Sequence, residues 1–148
     1  MFISILKNIN LQIIISYFGV IPFFFVFLDL YIFELFSINF LKDFLIYYIL
    51  IIFSFIGAMR WNFSLNSNFA KTLYGFLPSL ISTIIILCNL LSYNKSSIFI
   101  SIFFFLTLQL IFDFLFYKSS KSERNFFFGV RLPVTLIVLI NIFYLISV

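Results

Sequence analysis

Residues 98–117 read IFISIFFFLTLQLIFDFLFY, twenty residues with a single charged residue, Asp113. Coiled as an α-helix, a stretch of that length is about 30 Å long, the thickness of a bilayer's hydrocarbon core. Its apolar residues are continuous and do not alternate with polar ones, which fits a membrane-crossing helix and not a strand of a β-barrel. Working outward with the same criterion, uncharged runs bounded by charges and turn formers, four more spans emerge. The expected set covers roughly residues 11–32, 44–63, 72–91, 98–117 and 132–148.

The rest of the chain has the same character. Of 148 residues, 64% are hydrophobic, 24% aromatic and only 9% charged, and the mean hydropathy is +1.23. A water-soluble domain spends about a quarter of its residues on charge, because its surface cannot otherwise be covered. The fold class expected is therefore an all-α integral membrane protein, a single domain over residues 1–148 built as a bundle of about five transmembrane helices. The polar punctuations at 62–71, 92–97 and 118–125 are too short to be domains. Between Asp29 and Asp43, charges at 29, 34, 42 and 43 are mixed with Leu, Ile and Phe, so the end of the first span is poorly marked. Lys7 ahead of an apolar run resembles a signal peptide, but no small-x-small cleavage site follows, and the run is read as a retained span. The 26 phenylalanines carry no functional weight, since lipid-facing positions accept Phe as readily as Leu.

Five alternating spans sort the basic residues. Lys7, Arg60, Lys71, Lys118, Lys121, Arg124 and Arg131 fall on the N-terminal side, and only Lys42 and Lys95 on the other. The positive-inside rule then places the N-terminus inside and the C-terminus outside. Asp29, Glu34 and Asp43 add negative charge outside. The net charge of +4 thus reports topology and no nucleic-acid partner. The expected location is a bacterial cytoplasmic membrane, with the mitochondrial inner membrane as the alternative.

Histidine is absent and Cys88 is the only cysteine. That excludes an intramolecular disulfide, His-dependent triads and most zinc sites. With no Walker loop or dinucleotide fingerprint either, no enzyme, metal or cofactor is expected. Ionisable groups within spans are the default functional candidates, because hydrocarbon penalises an unpaired charge by several kcal/mol. Arg60, with Trp61 beside it, Asp113 and Arg131 form one candidate polar cluster at similar depth. Arginines at span ends ordinarily snorkel to the headgroups, but the short Asp113 side chain cannot. An ion pair of Asp113 with Arg60 or Arg131 is the preferred account, and proton or ion translocation the alternative. Gly75, Ser79, Ser82 and Thr83 share a face where a neighbouring backbone can approach, and Ser54, Gly57 and Ala58 offer the same in the second span. Asn89, Gln109 and Asn141 are expected to bridge helices. Pro22, Pro78 and Pro133 each follow a glycine by three or four residues and are expected in first turns, where the missing N–H costs little.

Taken in order, YFGVIPF (17–23), SFIGAMRW (54–61), LPSLIS (77–82), the isolated Asp113 and RLPVT (131–135) resemble a known family. It is the small polytopic membrane family described as domain of unknown function 3429, the transmembrane protein 69-like proteins. The resemblance covers residue 15 to the C-terminus and singles out Tyr17, Gly19, Pro22, Gly57, Pro78, Pro133 and Thr135 as motif positions. The family's second-span motif ends in Gly-Gly-x-His-Trp, where this chain has Gly57, Ala58, Met59, Arg60 and Trp61. Arginine keeps a hydrogen-bond donor there but does not titrate near neutral pH. The tryptophan that follows the family's Pro-Ser-Leu motif is also lost, with Thr83 in that neighbourhood. The resemblance implies a five-span inner-membrane protein and supplies no activity. Two functions fit: an interaction or assembly subunit of a membrane complex, whose partners are the bilayer and other membrane proteins or a second copy, or a small solute or proton-coupled carrier using the Arg/Asp cluster.

Overall fold

The computed structural model describes residues 11–58, 69–117 and 127–147, and all regular structure among them is helical. Helices α1 (Leu11–Phe18) and α2 (Ile21–Leu28) are prolonged by a π-helical turn over Asp29–Phe33. Then follow α3 (Ile38–Ala58), α4 (Phe69–Leu90) and α5 (Lys95–Tyr117), and a second π-helical turn, Phe127–Arg131, leads into α6 (Leu132–Ser147). Five helical stretches are long and apolar enough to cross a membrane: Ser16–Phe33, Ile38–Ala58, Thr72–Leu90, Lys95–Leu115 and Phe127–Ser147. Only 22–39% of each stretch is buried inside the bundle. Phe24, Ile51, Leu87 and Ile140 are each more than half exposed, an apolar surface suited to lipid and not to water. The near end of the bundle is the one at which the first span begins, and the far end lies opposite.

The element limits differ from expectation where charges are neutralised locally. Helix α3 begins at Ile38, ahead of the expected residue 44, so Lys42 and Asp43 lie within it. They do not stop the helix, because Lys95 Nζ pairs with Asp43 at 2.7 Å and Asn89 donates to the same carboxylate at 3.1 Å. Residues 59–63 of the expected second span lie outside the described residues. The last span begins at Phe127 and not at 132, which places Arg131 inside it. The first span ends at Phe33 because Asp29 builds the turn: fully buried, it accepts Leu35 N–H on one oxygen and Phe36 N–H on the other, each at 3.2 Å. Glu34 closes the turn in the left-handed region, φ 49°, donating its N–H to the Asp29 carbonyl. Asp29 is therefore not a free acid of the far surface.

Helices α3 and α4 form an antiparallel hairpin along a narrow seam. Asn89 donates to Asp43 and to the Tyr47 hydroxyl, and Ser82 Oγ donates to the Leu50 carbonyl while accepting from Ser54 Oγ at 2.8 Å. Gly57 lies against Pro78, so closely that a Cβ on Gly57 would stand 2.5 Å from the proline Cγ. The α3 positions 43, 47, 50, 54 and 57 alternate steps of four and three, as do 75, 78, 82, 85 and 89 of α4. That is the 3.5-residue repeat of helices crossing at a shallow angle. It also corrects the expected α4 face. Gly75 and Ser82 are buried in the seam, but Ser79 and Thr83 rotate out of it and are exposed, with the Thr83 hydroxyl turned back onto its own Ser79 carbonyl. Ala58 is exposed too.

Pro22 and Pro133 are the second residues of α2 and α6. Pro78, contrary to expectation, lies inside α4, where its ring fills the hollow over Gly57. Helices α5 and α6 make the second close pair, and Ile46, Ile49, Phe99, Ile102 and Ile142 form the fully buried centre between the two pairs. Two tyrosines hold the first span: Tyr48 donates to the Gly19 carbonyl and Tyr17 to the Gly129 carbonyl, each at 2.8 Å. Asn141 does not bridge helices, since its amide donates to Ile137 of α6 itself.

Candidate functional site

Gln109 and Asp113 lie one turn apart on the same face of α5, and the π-helical turn before α6 carries Arg131 alongside them. Arg131 Nε donates to Asp113 Oδ2 at 2.6 Å, and Nη2 donates to Gln109 Oε1 at 3.0 Å. Gln109 stands a full turn farther from the near end than Asp113. The guanidinium therefore points into the bundle, the opposite of the snorkelling common for an arginine at a span end. Tyr74 on α4 places its hydroxyl 2.8 Å from Asp113 Oδ1 and 3.2 Å from the Gln109 carbonyl. The Gln109 amide donates across to the Phe53 carbonyl of α3 at 3.2 Å. One network thus ties α3, α4, α5 and the start of the last span together.

Arg131 is 7% exposed and Asp113 1%. Charges so deeply buried are tolerated only when paired and hydrogen-bonded, and a buried charge stripped of its partner is strongly destabilising. Asp113 accepts on both oxygens, and Arg131 uses two separate nitrogens for two different acceptors. Geometrically, the set is a clamp. Thr135, one turn beyond Arg131 and 2% exposed, has a hydroxyl without a hydrogen-bond partner among the described residues.

Of the four residues expected to cluster, the structure brings Asp113 and Arg131 together, and Arg60 and Trp61 lie outside the described residues. Tyr74 was not anticipated, and Gln109 was expected only as a generic bridge. Their signal was faint but present: a glutamine and an aspartate at i and i+4 on an otherwise apolar helix share one face. Four other motif positions make packing contacts. Tyr17 and Gly19 hold the first span, and Gly57 and Pro78 close the seam between α3 and α4.

The family model described as Protein of unknown function (DUF3429) matches residues 10–147. This chain belongs to that family. No curated protein and no solved structure matches it. The DUF3429 match spans all five apolar helical stretches, so the near-end network of Tyr74, Gln109, Asp113 and Arg131 lies wholly within the family region.

Proposed function

We propose that this DUF3429 protein is an interaction or assembly subunit of a membrane complex, inserted with its N-terminus inside and its C-terminus outside. The cytoplasmic membrane of a bacterium is its expected site, with the mitochondrial inner membrane as the alternative. The observation that supports this is the inward-turned Arg131, clamped onto Asp113 and Gln109 with Tyr74 against the same carboxylate. A carrier needs its ionisable groups free to bind and release a solute. Here they fasten four elements into one body, as a brace does. A rigid, lipid-covered bundle offers partners its outer helix faces.

The brace accounts for the charges of Asp113 and Arg131 without any transport step. Cross-linking in mild detergent followed by mass spectrometry should therefore recover a stoichiometric membrane partner. That partner should persist in the neutral double variant Asp113→Asn/Arg131→Gln wherever it folds. Absence of any stoichiometric partner under several growth conditions would refute the assignment. So would solute or proton flux in liposomes that the same double variant abolishes, which would move the function to a carrier.

A further inference from the structure

A second polar group lies at the far end, where Asn39, Lys42, Asp43 and Tyr47 of α3 face Asn89 of α4 and Lys95 at the start of α5 across an open notch of about 610 Å³. Most polar atoms there are already engaged. Lys95 donates to Asp43 Oδ2 at 2.7 Å and to the Asn39 carbonyl at 3.0 Å, and Asn89 donates to Asp43 Oδ1 and to the Tyr47 hydroxyl. Both Asp43 oxygens are thereby taken, and its charge is offset by Lys95.

What is left over is one-sided in charge. Lys42 Nζ has no ionic or hydrogen-bonding partner among the described residues. Lys95 keeps its third N–H, and the Tyr47 hydroxyl, which accepts from Asn89, still has its own proton to give. The notch therefore presents three unused donors and a net charge of one positive, which suits a phosphate-class anion. Its position selects the source. The notch opens at the ends of three apolar helices, and exposed Leu90 and Tyr93 line it. Acyl chains lie against such residues, and tyrosine rings sit at headgroup level.

We propose that this notch binds the phosphodiester of a phospholipid in the leaflet at the far end, with Lys42 as the principal charge contact and Lys95 and Tyr47 as supporting donors. Free inorganic phosphate has the same chemistry and is separated by experiment. The full chain, purified in detergent, is titrated with phosphatidylglycerol, with diacylglycerol of the same chains, and with inorganic phosphate, and bound lipid is counted by native mass spectrometry. Expected are retention of phosphatidylglycerol but not diacylglycerol, roughly tenfold weaker retention in Lys42→Gln, the loss of one charge-assisted hydrogen bond, and recovery in Lys42→Arg. Because Lys42 makes no bond to the described residues, Lys42→Gln should melt at the wild-type temperature in lipid-free detergent. Equal lipid retention by wild type and Lys42→Gln overturns the proposal, as does equal retention of diacylglycerol. Binding of inorganic phosphate that displaces the lipid at millimolar concentration also overturns it, in favour of a soluble anion.

Discussion

Replacing Asp113 by Asn tests the clamp directly. At 2.6 Å, the Asp113–Arg131 attraction is about 6 kcal/mol for an effective dielectric constant of about 20. Most of that is offset by the cost of taking both ions out of water, so the pair as a whole adds little net stability. Removing one member is another matter. Asp113→Asn would leave the guanidinium, 7% exposed, without a counter-charge, a defect that costs about 3–5 kcal/mol in buried pairs. The new side chain still offers an amide oxygen, so the lower end, about 3 kcal/mol, is expected. That lowers the folded-to-unfolded ratio roughly 100-fold. Arg131→Gln should cost a similar amount by stranding the carboxylate. The double variant, which buries two neutral amides, should recover at least about 2 kcal/mol relative to the sum of the single losses. The assay is unfolding of the purified chain in mixed micelles by rising dodecyl sulfate, followed by far-ultraviolet circular dichroism. Losses that add to within about 0.5 kcal/mol would refute direct coupling.

Gly57→Ala should destabilise the same preparation by about 1–3 kcal/mol, because its Cβ would meet the Pro78 ring at 2.5 Å and prise the Ser54–Ser82 bond apart; an unchanged midpoint would contradict the close seam. Asp29→Ala removes the acceptor of two backbone N–H groups and should cost about 2 kcal/mol or more, with amide exchange at Leu35 and Phe36 rising first. Glu34→Gly relieves a left-handed residue at φ 49° and should stabilise by up to about 1 kcal/mol; a loss would mean that the glutamate side chain does more than occupy the turn.

The five spans were legible because hydrocarbon length and continuous apolarity are properties of the chain itself. Their limits were less so. Taking charges as boundaries placed Lys42 and Asp43 in a loop, but Lys95 and Asn89, about fifty residues away in sequence, neutralise Asp43 and let the helix start earlier. Asp29 looked like one more outer acid, since a carboxylate that caps a turn and one in water are spelled alike. The α4 face was half right: Gly75 and Ser82 belong to the seam, and Ser79 and Thr83 do not, because which residues lie inward depends on the partner helix's 3.5-residue repeat. At the candidate site, a pair involving Asp113 could be anticipated from its short side chain. The inward aim of Arg131 could not, because it is set by Gln109 and by the π-helical turn that rotates the arginine onto α5.

The clamp also constrains how the chain is made. Asp113 and Arg131 are 18 residues apart, so the fourth span leaves the ribosome with its carboxylate ahead of its counter-ion. Until then an aspartate at membrane depth carries an insertion penalty, about 2.5–3.5 kcal/mol at the centre of a span and less toward its end. The last two spans therefore have reason to enter the bilayer as a unit, with the fourth waiting at the insertion machinery for the fifth. A chain that stops after residue 117 would leave the acid without its counter-ion, so for this fold the final span completes an insertion that has already begun.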